Sequence, residues 1–122
     1  MSYVDGFVVP VPAAKKEEYR ALSERASTVF LECGAIRHVE CWGDDVPDGK
    51  VTDFKGSVKA EDGEVVVFSW VEWPSKEARD TGMAKVMADD RIMPEGAEMP
   101  FDGKRMIFGG FAVILDAAAK SA

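Results

Sequence analysis

The sequence is short of the residues that most often announce a chemistry. Its 122 residues hold one histidine and two cysteines. Cys33 and Cys41 are too few and too far apart for a thioredoxin-type or zinc motif. A disulfide between them stays open, but free thiols in a reducing cytoplasm are the expected state. His38, with no cysteine pair beside it, gives no support for zinc. Positive charge is also scarce: 15 Lys and Arg stand against 22 Asp and Glu, a net charge of −7. An acidic chain repels phosphate backbones unless its cations cluster, and the adjacent basic pairs are only Lys15-Lys16 and Lys104-Arg105. Neither nucleic acid nor an anionic membrane is an expected partner. No apolar run approaches the ~20 residues of a membrane span. Met1 to Pro10 has neither the basic start nor the small-residue cleavage site of a signal peptide. The expected location is the cytoplasm, with no metal and no cofactor.

Other signatures are missing as well. Asp48-Gly49-Lys50 and Asp102-Gly103-Lys104 are turn signals, not a phosphate loop. Asp44, Asp45, Asp48 and Asp53 lack the order and the closing Glu of a calcium-binding hand. No Ser-His-acid order can be read along the chain.

What is present describes one globular domain over 1–122, with 47% hydrophobic and 30% charged residues. Tyr3 to Val9 alternates like a strand, and Pro10 and Pro12 are expected to end it. From Pro12 to Cys33 the apolar residues Tyr19, Leu22, Ala26, Val29 and Phe30 fall at helical spacing, and Gly34 follows as a C-terminal stop. Ala35 to Trp42 reads as the second strand and Gly43 to Gly49 as a loop. Ser57 to Ala60 and Glu64 to Trp73 read as arms of a hairpin, turning at Glu61-Asp62-Gly63. Pro74 stops that strand, and Ser75 is placed to cap a helix carrying Ala78, Met83, Val86 and Met87, with Gly82 weakening it. Asp89 to Gly103 reads as a loop and Arg105 to Leu115 as the last strand, with Gly109-Gly110 marking a bulge or a close backbone approach. A frayed tail, Ala117 to Ala122, ends the chain.

The order is βαββαβ with an added hairpin strand, an α+β plan of the ferredoxin-like kind. Two helices cover one face of such a sheet. Yet Val66, Phe68 and Trp70 alternate with Val65, Val67 and Val71, and Ile107, Phe111 and Val113 alternate with Met106, Phe108, Ala112 and Ile114, so both faces are apolar. One-sided burial would leave one set polar. The second face is therefore expected to pack on another copy in a two-fold dimer.

Polar residues inside strands are the candidates for chemistry. His38 and Glu40 lie two apart on the second strand, so they point the same way, and a carboxylate beside an imidazole makes an acid–base pair. A satisfied core histidine would look the same in sequence. Asp5 stands mid-strand and needs a cation such as Arg37 or Arg105. Tyr3, Trp42, Trp70, Trp73 and Phe108 could wall an apolar pocket, or simply be core. The candidate sets are thus His38 and Glu40 for catalysis, and Tyr3, Asp5, Arg37, Trp42, Trp70 and Arg105 for ligand binding.

Several stretches carry a family resemblance. They are Tyr3-Val4-Asp5-Gly6-Phe7-Val8, Val39-Glu40-Cys41-Trp42, Val46-Pro47-Asp48-Gly49-Lys50-Val51-Thr52-Asp53-Phe54, Val67-Phe68-Ser69-Trp70, Pro74-Ser75-Lys76 and Met99-Pro100-Phe101-Asp102-Gly103-Lys104-Arg105-Met106. From Tyr3 to about Leu115 the chain resembles the YbaA-like bacterial family, domain of unknown function 1428. The resemblance implies a dimeric α/β-barrel and no established activity. Barrels of that wider type include cofactor-free oxygenases, isomerases, decyclising enzymes, haem proteins and stress-response dimers, so the fold does not choose a function. Names in the family tied to signal recognition particle RNA sit badly with the net charge of −7. Three readings result. The first is a homodimer binding a small organic molecule. The second is a cofactor-free oxygenase or isomerase with His38 as acid–base, Glu40 orienting it, and Arg37 or Arg105 holding an anionic group. The third is a structural or regulatory dimer without a ligand.

Overall fold

The computed structural model describes residues 2–92, 96 and 98–120. Parts of the expected Asp89 to Gly103 loop (93–95 and 97) and the last two residues of the tail lie outside the described residues. Four strands, β1 (Tyr3–Pro12), β2 (Arg37–Trp42), β3 (Glu64–Trp73) and β4 (Ile107–Ala112), form one antiparallel sheet in the order β2-β3-β1-β4. Helices α1 (Lys16–Glu32) and α3 (Lys76–Met87) pack on one face, and α2 (Phe54–Ser57) is a single turn between β2 and β3. Among the described residues no helix is long and apolar enough to cross a membrane.

The prolines do not stop β1, which runs on through Pro12. The register explains why. Ala13 N–H bonds the Gly63 carbonyl, so odd residues of β1 point their backbone groups at β3 and even residues at β4. β4 pairs only with Tyr3 to Val8, so Pro10 and Pro12 aim their missing N–H where no strand needs one. A short 3₁₀ turn, Ala13–Lys15, then leads into α1.

The expected hairpin arm at Ser57 to Ala60 is absent. Asp53 instead accepts hydrogen bonds from the Gly49 and Gly56 backbone, which winds the segment into α2. The bulge at Gly109-Gly110 is absent too, because Gly6 pairs with Gly109 and Asp5 with Gly110 in unbroken register. The close approach is real: a Cβ on Gly110 would lie 2.5 Å from Tyr3 Oη and 2.8 Å from Arg79 Nη2.

The other helix signals hold. Gly34 takes φ +110° after α1, and Ser75 Oγ accepts from Ala78 N at 3.1 Å to open α3. The core lies between sheet and helices. Val9, Val11, Val67 and Tyr19 pack at one end, and Val71, Trp73 and Ala35 at the other. Gly82 is buried in α3, where an added Cβ would lie 2.4 Å from Trp73 Cζ3 and 2.5 Å from the Cys33 carbonyl oxygen. That gap lets α3 seat on Trp73 and the end of α1.

Ion pairs fasten both ends. Asp5 finds its cation in Arg79, not in Arg37 or Arg105: Arg79 Nη2 donates to Oδ1 at 2.8 Å and Nε to Oδ2 at 3.1 Å, while Trp73 Nε1 donates to Oδ2 at 2.9 Å. The sequence shows that Asp5 needs a partner but cannot say which helix brings it. Removing one member of such a pair strands the other charge in the core. Arg105 is committed elsewhere, donating to both oxygens of Glu64 at 2.6 and 2.7 Å and to Asp102 at 3.0 Å. Those hydrogen bonds hold the Glu64 carboxyl below the ordinary carboxylate range.

Gly82→Ala tests the close packing. Alanine should favour the helix by about 1 kcal/mol on propensity alone. The clash with a backbone oxygen predicts instead a net loss of about 1–3 kcal/mol, read from urea unfolding. An unchanged or higher midpoint would disprove the contact. Glu64→Gln tests the second pair. A depressed carboxyl contributes stability above its unfolded pKa and loses it as pH falls through the folded one. The stability gap between wild type and E64Q should therefore be widest near about pH 7 and close towards about pH 3. A gap constant with pH would show that the Glu64 charge stabilises nothing.

Candidate functional site

The face of the sheet away from α1 and α3 is the first candidate. Even residues of β1 and β3 and odd residues of β2 and β4 point to it, as the strand pairings require. Its centre is shallow because Gly6 and Gly109 pair there, and the Phe111 ring lies across both, about where a Cβ on either would touch it at 3.6 and 3.5 Å. Phe68 and Trp70 stand beside them with ring centroids 5.7 Å apart. Together with Val4, Val8 and Ile107 these residues line a cavity of about 940 Å³, open to solvent. Phe68, Ile107 and Phe111 are 43%, 45% and 62% exposed. Its rim is polar at one side: Trp70 Nε1 donates to Glu72 Oε2 at 2.9 Å, and Arg37 Nη1 lies 4.0 Å from the same oxygen.

The opposite face holds a second constellation, where α1 crosses β2. His38 Nε2 meets Glu40 Oε2 at 2.6 Å, His38 Nδ1 meets Ser27 Oγ at 2.6 Å, and Tyr19 Oη donates to Glu40 Oε1 at 2.7 Å. A carboxylate only accepts, so His38 Nε2 carries a proton towards Glu40, and in the neutral tautomer that this selects Nδ1 accepts from the serine. Phe30 packs its ring against His38 at 5.2 Å, and the His38 side chain is 4% exposed. Burial, then the charge of Glu40, drives the Tyr19 phenol far above its ordinary pKa, so it remains a donor.

The residues singled out in sequence divide between the two faces. His38 and Glu40 are in contact as their spacing requires, but they face α1 and not the cavity. Arg37 and Trp70 line the cavity; Phe108 also borders it, although its place on β4 pairs it with Phe7 on the helix side. Tyr3 and Asp5 lie on the helix side with Arg79, whose guanidinium sits 5.1 Å from the Tyr3 ring centroid. Trp42 packs beneath Lys16, and Trp73 is wholly buried in the core. Arg105 is held by Glu64 and Asp102 away from either constellation. The single aromatic pocket expected of Tyr3, Trp42, Trp70, Trp73 and Phe108 is therefore not formed, because strand alternation sends Trp70 to one side and Tyr3, Trp42 and Trp73 to the other.

Sequence reasoning missed Ser27, Tyr19 as a polar partner, and Arg79. A signal for the first two existed. Tyr19, Ser23 and Ser27 recur every fourth residue, a hydroxyl stripe bordering the apolar stripe of α1.

Comparison with known proteins agrees with this architecture. The profile described as "Protein of unknown function (DUF1428)" matches residues 2–103. The chain is 61% identical over 116 residues to the uncharacterized protein YbaA of Escherichia coli strain K12, covering 95% of this chain and 99% of that protein. It matches the YbaA of Shigella flexneri to the same degree. Among solved structures it is similar to an arginine-to-serine mutant of MhuD with two manganese protoporphyrin IX bound per active site, at TM-score 0.64 and 17% identity, covering 96% of this chain and 99% of that one. It is also similar to Rv0793 from Mycobacterium tuberculosis, at TM-score 0.52 and 15% identity, covering 97% and 100%. At these identities the likeness is one of fold, of the ferredoxin-like type found in dimeric α/β-barrels. By profile and by its uncharacterized relatives, the chain belongs to the DUF1428, YbaA-like family.

Proposed function

We propose that the protein works as a homodimer in which two open sheet faces meet and enclose a small, largely apolar organic ligand. The observation that carries this reading is the exposure of Phe68, Ile107 and Phe111 together around one cavity. Monomers rarely leave such a patch in water. A second copy related by a two-fold axis offers the same patch, so one interface covers both. Two twisted sheets touch best along their middle and diverge at their ends, which leaves room for a ligand against Trp70 and Phe111. Arg37 and Glu72 would set its orientation at the rim. The neighbour MhuD holds manganese protoporphyrin. The described residues lining this cavity include no imidazole or thiol for an axial bond, and the ligand class proposed is a metal-free one. The proposed compartment is the cytoplasm, where the free thiols Cys33 and Cys41 stay reduced. The acid–base reading of His38 and Glu40 draws nothing from this cavity, since they lie on the other face.

Native mass spectrometry of protein purified gently from its host tests both parts. The expected species is two chains plus a reproducible small mass. Phe111→Asp places a charge at a position exposed in the single chain, so this variant should fold with an unchanged circular dichroism spectrum and run as a monomer. A wild-type monomer would overturn the whole reading. A clean dimer without an added mass would remove the ligand and leave a dimer that serves interaction alone.

A further inference from the structure

We infer that Ser27 is a covalent acceptor site, a serine activated by His38 and Glu40 that takes an acyl or phosphonyl group from a small activated ester. The inference rests on geometry independent of the open face. A serine inside a helix ordinarily turns its hydroxyl back to the carbonyl four residues before it. Thr28 does so, donating to Glu24 O at 3.4 Å. Ser27, one residue earlier, faces His38 Nδ1 at 2.6 Å instead. The imidazole is in turn held at its other nitrogen by Glu40, and Glu40 by Tyr19. A nucleophile bonded to a base, with the base oriented by a third group, is the arrangement that activates a hydroxyl. His38 is too buried to meet a solute, whereas Ser27 stands half-buried on the flank of α1. The exposed end of the chain of hydrogen bonds is thus the nucleophile.

The step balances within these groups. Ser27 Oγ bonds to the carbonyl carbon or the phosphorus, and its proton passes to His38 Nδ1. The bond to the leaving group breaks, and that group departs with the same proton, which restores neutral His38. Glu40 stabilises the transient imidazolium without taking its proton. An oxyanion develops both when the serine attacks and when the adduct is hydrolysed. Ser27 lies within α1, where backbone N–H groups are spent in the helix ladder, so only an ester with a good leaving group should react and the adduct should persist. The site faces away from the proposed dimer interface, so dimerisation leaves it reachable, and either reading can fail alone.

A biotinylated fluorophosphonate is the probe. Full-length protein is incubated with it, and the adduct is followed by intact mass and located by peptide mapping. One phosphonyl group per chain, added with loss of fluoride and mapped to Ser27, is the expected result, with none in Ser27→Ala. The urea-unfolded chain gives the rate of an ordinary serine. The folded protein should exceed that rate, and His38→Gln should fall by about 100-fold, the usual share of a general base. Melting curves check that H38Q is folded. Should it not fold, Glu40→Gln, which keeps the shape of the side chain, should still label more slowly than wild type. Folded wild type labelling no faster than the unfolded chain, an adduct on another serine, or an H38Q variant that labels at the wild-type rate would each overturn the assignment.

Discussion

A sheet has two faces, and both long helices of this protein lie on the same one. Everything else follows from that constraint. The chain crosses from β1 to β2 through α1 and from β3 to β4 through α3, and each crossing returns to the same side. Strand alternation then sends half of every strand's side chains to a face that no helix covers. In a protein that stopped there, that half would be polar. Here it carries Val4, Val8, Phe68, Trp70, Ile107 and Phe111. The apolar face and the dimer proposed to cover it are thus one problem.

The covered face is the more polar of the two in its details. Asp5 of the sheet meets Arg79 of α3, and His38 and Glu40 of the sheet meet Ser27 and Tyr19 of α1. No buried side-chain polar atom among the described residues lacks a partner. Burial of such groups is tolerable only when each is satisfied. It also makes the docking of each helix specific, since a helix seated one turn away would strand a charge or a hydroxyl. Gly82 and Gly110 belong to the same scheme, because each removes a Cβ where α3 and Arg79 come closest to the sheet.

The plan of the fold was legible because its signals are local. The stripe of α1, the Ser75 cap, the Gly34 stop and the two-faced apolar pattern of β3 each follow from a few neighbouring residues. What failed in sequence depended on partners distant along the chain. Pro10 and Pro12 look like strand breakers until β4 is known to end opposite Val8. The exception is Ser57 to Ala60, which looks like a strand until Asp53 captures two backbone amides only four and three residues away. The candidate site was legible in part for the same reason. His38 and Glu40 are two apart and could be paired by spacing, whereas Ser27 is eleven residues from His38 and Arg79 is 74 from Asp5. The split of the aromatic set had a local cause, since Trp70 and Trp73 differ in parity. Only the register shows which parity meets the helices.

The polar groups of β2 also answer a question of specification. β2 is an edge strand held on one side by β3 alone, so few hydrophobic contacts fix its alignment. A slip of one residue would turn His38 and Glu40 onto the apolar face and drive Arg37 under α1. It would break the contacts to Ser27 and Tyr19 together and leave an unpaired guanidinium in the core. The same hydrogen bonds that make Ser27 a nucleophile therefore lock the strand on which His38 and Glu40 stand. A substitution there that changed reactivity while leaving the melting temperature in place would separate the chemical role from the structural one, which is why conservative replacements at positions 38 and 40 tell more than truncations.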